Sequence, residues 1–244
     1  PAPAPAAEGA VDPIAAWRAE LPELIERYNA DGYVLVSGLI GPEVYRPATD
    51  AIWDAMEDPS DHWLTGESQG GLRRSDRSTW PAEPKQFAKS VAHPDVSALW
   101  TPAYRAMAEA LAQGFVPESE AMHLPEVPIA APSGALAINI FPTAAPAEGW
   151  SWPSPHIDHS IEDHGYRSFP RPVRMSTMTY LSPSPGEGAH GGATVVWRGS
   201  HRAMERLAAA DPERFELMHP LGGALEEAGV LELEKVEVLV REGD

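Results

Sequence analysis

The chain has no cysteine among its 244 residues. That absence excludes a disulfide framework, thiolate-bound metals and cysteine nucleophiles, so any metal must be held by imidazole and carboxylate. Basic residues are also scarce: 18 Lys and Arg stand against 36 Asp and Glu, a formal charge of -18. A surface this acidic repels phosphate backbones and anionic lipid, which argues against nucleic acid and membranes as partners. No apolar run approaches the ~20 residues that cross a bilayer, and the start of the sequence lacks the basic and apolar blocks of a secretory signal. These absences predict a soluble, cytoplasmic protein.

An apolar share of 43% supports a real core. Residues 1–12 open on an alternation of Pro and Ala with nothing large to bury, and read as a flexible or polyproline-like tail. Residues 13–244 read as one domain, with a helical support over 13–114 and a β-core over 135–244. Helical spacing of apolar residues covers 13–29, with Asp12 before Pro13 as an N-cap, and stops at Asp31-Gly32. A strand over 33–36, a helix over 42–56 and another over 95–113 follow. Between them, the polar, Gly-rich stretch 58–94 reads as a functional or mobile loop. It concentrates Arg73, Arg74 and Arg77, which could meet an anionic substrate or be ordinary solvated charges.

From residue 135 the pattern turns to strands, over 135–141, 174–181, 193–197 and 236–240. A helix over 203–218 is broken near Asp211-Pro212. Within this half lies Pro155-His156-Ile157-Asp158-His159-Ser160. In an extended chain the side chains of His156 and Asp158 leave the same face, so one nitrogen and one anionic oxygen can meet a single ion. Two His and one carboxylate are what a ferrous site supplies when it keeps open positions for a chelating co-substrate and dioxygen. The candidate metal ligands, and the candidate catalytic residues, are therefore His156 and Asp158. Asn139 and Thr177, or Thr179, are short polar strand residues that could face a co-substrate or simply follow strand alternation. Trp150 and Trp152 read as packing of the loop before the motif.

His156-x-Asp158, then Gly191-Gly192-Ala193-Thr194, a strand, and Arg198-Gly199-Ser200-His201 resemble, in that order, the motifs of the phytanoyl-CoA dioxygenase family. Arg198 stands where that family usually has Pro. The helix leading into Asp31-Gly32-Tyr33-Val34 is similar to the family's N-terminal portion. The resemblance implies an iron(II)- and 2-oxoglutarate-dependent oxygenase that hydroxylates a small organic molecule, with dioxygen as second co-substrate. It implies a mainly β fold, a double-stranded β-helix (jelly roll, cupin-like) with supporting N-terminal helices. In the family, the second His ligand and the Arg that pairs with 2-oxoglutarate follow a Gly-Asp pair like Gly243-Asp244. The expectation is thus a jelly roll lacking its closing strands, a C-terminally shortened portion of a longer protein. His190, His201 and His219 are the substitutes for the second His, with His201 leading, although the family uses its Gly-Ser-His turn structurally. The alternative is a catalytically inactive jelly-roll binding protein with an incomplete metal site. A zinc hydrolase is disfavoured, because no general-base Glu accompanies the motif.

Overall fold

The computed structural model describes residues 12–58, 72–80, 85–86, 91–119, 139–140, 154–156, 175–184, 193–215 and 223–244. Leu21–Asp31 form α1 and Pro42–Met56 form α2. The expected helix over 13–29 is split in two. A 3-10 turn over Ala15–Trp17 comes first, and α1 starts afresh with Pro22 at its N-terminal turn. Proline has no N–H to give the preceding turn and is favoured in a helix's first turn, where that donor is unused, although α2 carries Pro47 in its interior. The same rule divides 95–113 into α3 (Pro94–Ser97) and α4 (Pro102–Gly114), with the Thr101 side chain accepting from Tyr104 N. The break near Asp211-Pro212 separates α5 (Ser200–Ala210) from α6 (Pro212–Phe215), and α7 is Ala224–Glu227.

Strands come as two short pairs. β1 (Lys85–Gln86) pairs with β2 (Asn139–Ile140), and β3 (Thr194–Trp197) with β4 (Lys235–Val238), both antiparallel. Helices hold about half of the described residues. The expectation of a mainly β protein built as a jelly roll, or as one lacking its closing strands, is therefore overturned. The reason lies in what alternation reports. Residues 33–36 belong to no strand; Val34 and Val36 instead pack against the α1–α4 cluster. A period of two marks an extended chain with one face covered, and does not say whether its backbone pairs. Residues 175–184 behave similarly, with isolated bonds to the last residues: Gly243 N donates to Tyr180 O at 2.8 Å and Ser184 N to Val240 O at 3.0 Å.

Among the described residues buried side chains form four groups, of which three join elements distant in sequence and the fourth, Ala208 with Ala224, joins α5 to α7. Ile14, Leu24, Tyr28, Met107 and Leu111 join α1 to α4. Ala48, Ile52, Met56, Leu72, Val91 and Val96 join α2 to α3 and to the turn beginning at Leu72. Trp197, Ala203 and Val230 hold β3 against α5 and the segment after α7. Among the described residues no helix is long and apolar enough to cross a membrane.

Met107 is only 1% exposed at the α1–α4 contact. Its truncation to Ala leaves a cavity where two helices meet, so Met107→Ala is expected to lower unfolding stability by about 2–5 kcal/mol in urea denaturation.

Candidate functional site

An α-helix leaves its last carbonyls without an intrahelical donor. At the end of α1 those carbonyls are met by the turn that follows β3. The β3–β4 ladder runs on through Arg198 N, which donates to Glu234 O at 2.9 Å. Gly199 then takes a left-handed conformation (φ 75°), open to glycine without steric cost, and the chain swings into α5. Gly199 N donates to Asp31 O at 2.9 Å. His201 Nε2 and Arg202 Nε bond the carbonyl of Asn29 at 2.9 and 3.1 Å. His201 thus sits inside the first turn of a helix, and the Arg-Gly-Ser-His segment serves as the external cap of α1.

Charge reinforces the contact. Asp31 ends α1, where the helix dipole disfavours an anion. The Arg198 guanidinium offsets it with a fork, Nε to Oδ1 at 2.9 Å and Nη2 to Oδ2 at 3.0 Å, while its Nη1 reaches Glu234 at 3.1 Å. Asp31 and then Glu234 hold the Arg198 proton still more firmly than usual.

Beneath the turn lies a buried polar network. Asn29 donates to the carbonyls of Ile25 (2.9 Å) and Gly114 (2.8 Å) and accepts from Val116 N (2.7 Å) and Arg202 Nη2 (3.1 Å). Arg202 pairs with Glu205 at 2.9 Å, with side chains 11% and 2% exposed. Glu205 also accepts from Ser119 N at 2.7 Å, and the Arg202 guanidinium lies 4.8 Å from the Phe115 ring centre. Charges this deep persist only when paired and hydrogen-bonded, and here both are. Because the Asn29 carbonyl can only accept, Nε2 of His201 carries its proton. His201 Nδ1 is then a buried lone pair with no partner among the described residues. The Gly32 backbone lies against that ring edge, so close that a Cβ on Gly32 would strike Nδ1. Burial, with Arg202 adding to it, pushes the His201 pKa below the ordinary imidazole value; the Asn29 bond and Glu205 and Glu118 oppose that shift.

The residues singled out from sequence are not brought together in the described part of the molecule. His156 is exposed, so its imidazole is within reach of an ion, but Asp158 lies outside the described residues. Asn139 sits in β2, of which only the backbone is described; Thr177 is exposed. Thr179 is half-buried, its hydroxyl 3.4 Å from that of Tyr104. Trp150, Trp152, His190 and His219 also fall outside the described residues. His201, the leading substitute for a second His ligand, is committed to the Asn29 carbonyl and is no longer a candidate. Among the described residues no three His, Asp or Glu converge as a metal site. Comparison with protein-family models, with curated proteins and with solved structures finds no match for the chain. The sequence reading missed Asn29, Arg202 and Glu205, because nothing local distinguishes a helix-end Asn or an Arg-Glu pair three residues apart from a solvated face.

Two outcomes are expected. His201 has a depressed folded pKa, so its contribution to stability is fully present above the ordinary imidazole value and is lost as pH falls through the folded value. Urea midpoints taken from about pH 7.5 to about pH 5 should fall more steeply for the wild type than for His201→Gln. Gly32 is left-handed (φ 82°) as well as crowded by His201. Gly32→Ala should therefore cost more than about 1 kcal/mol in the same assay.

Proposed function

We propose that this chain carries out iron(II)- and 2-oxoglutarate-dependent oxygenation of a small organic molecule, with His156 and Asp158 as metal ligands. One observation supports the reading above the others. Two of the stretches that carry the family resemblance, Asp31-Gly32 and Arg198-Gly199-Ser200-His201, are far apart in sequence yet meet: Gly199 N donates to Asp31 O at 2.9 Å, beside the fork from Arg198, which stands where the family has Pro. Short motifs that match by chance have no reason to be mutual partners, whereas parts of one inherited scaffold do.

The proposal does not depend on a jelly roll. Iron(II) with 2-oxoglutarate and dioxygen supplies the oxidising power for C–H hydroxylation, chemistry that belongs to the cofactor set. The chain's part is to hold that set and the substrate in place. Strong net negative charge supports a small-molecule substrate rather than nucleic acid, and a cytoplasmic setting is part of the same proposal.

Anaerobic addition of Fe(II) and 2-oxoglutarate tests the reading directly. A weak visible charge-transfer band should appear only when both are present, and should vanish in His156→Ala and in Asp158→Ala. If the wild-type protein gives no band, the oxygenase reading fails and a non-catalytic binding protein takes its place.

A further inference from the structure

The turn over residues 72–80 carries Arg73, Arg74 and Arg77, and two of these are spent within the chain. Arg73 Nη1 donates to the carbonyls of Leu72 at 2.8 Å and Glu57 at 3.5 Å. Arg74 pairs with Asp50, and its amide donates to Glu57 Oε1 at 2.6 Å. Arg77 has no carboxylate partner among the described residues. Its guanidinium lies over the indole of Trp80, 5.5 Å from the ring centre, and Trp80 packs on Trp53 with centroids 5.2 Å apart.

The turn beneath Arg77 is firmly held. Leu72 is fully buried in the α2–α3 core. Trp80 Nε1 donates to Arg73 O at 2.9 Å, and the Thr79 hydroxyl to Asp76 O at 2.6 Å. Asp76, the acid nearest Arg77 in sequence, accepts through Oδ1 from the amide and hydroxyl of Ser78 at 3.0 and 2.7 Å.

We propose that this turn is an oxyanion-binding site, where Arg77, its guanidinium over the Trp80 ring, receives a carboxylate or phosphate group of a small molecule. A guanidinium held over an aromatic ring keeps the N–H donors that point away from the ring for another partner. Two parallel donors on one edge match the two oxygens of a carboxylate or phosphate. On a chain of net charge -18, an anion meets repulsion over most of the surface and attraction at this turn. The inference does not rest on the oxygenase reading, and its test uses the full chain without metal.

Side-chain amide spectra of ¹⁵N-labelled protein, titrated at low salt with acetate and separately with inorganic phosphate, read the site. The Arg77 Nε–H signal, identified by its loss in Arg77→Gln, should shift and saturate, and the Trp80 indole N–H should follow. Saturation with acetate alone assigns a carboxylate site, with phosphate alone a phosphate site, and with both a general oxyanion site. Read on the Trp80 signal, Arg77→Lys keeps the charge but loses the fork, and should weaken binding about tenfold. A shift that never saturates, a uniform shift of all arginine signals, or Arg77→Lys binding as well as the wild type would overturn the proposal.

Discussion

Three carbonyl oxygens at one helix end govern this molecule. The end of α1 presents Tyr28, Asn29 and Asp31 carbonyls that need donors, and an unmet buried carbonyl costs about 1–3 kcal/mol. Gly32 meets the first from its own backbone, and the turn after β3 meets the other two with Gly199, His201 and Arg202. Two buried clusters, one centred on α1 and α4 and the other on β3 and α5, are tied together across this seam. Loss of the seam would leave the α1 carbonyls exposed and strip the buried Arg202 and Glu205 of their surroundings.

The seam also recasts the most family-like stretch of the sequence. A Gly-Ser-His turn offers an imidazole that invites a metal-ligand reading, but this imidazole faces a carbonyl on one side and the Gly32 backbone on the other. Its role is architectural. The turn supplies the frame that connects the N-terminal helices to the C-terminal half. Arg77, on its own braced turn, belongs to a different part of the surface and to a different kind of chemistry.

Much of the helical layout was legible. The bounds of α2, the stop at Gly32 and the division between α5 and α6 follow from Pro and Gly acting on their immediate neighbours. The splits at Pro22 and Pro102 follow from the same rule, which the apolar periodicity over 13–29 and 95–113 concealed. The strands were less legible. Tyr33, Val34, Leu35 and Val36 are all apolar and all half-buried, but the cover over Val34 and Val36 is a helix pair and not a sheet partner, and residue spacing carries no record of the partner. Most of the candidate metal motif lies outside the described residues, so its legibility rests with the motif itself.

Sequence alone therefore determined the stop of α1 at Gly32 and the break at Pro212, because left-handed backbone and a missing N–H act within one turn. It also determined which metal-binding chemistry is closed, because a chain without cysteine has no thiolate to offer. Tertiary structure alone decided what His201, Arg202 and Asn29 do. Their partners come from segments far away in the chain, and whether a polar side chain caps, pairs or ligates depends on which unsatisfied group is packed against it.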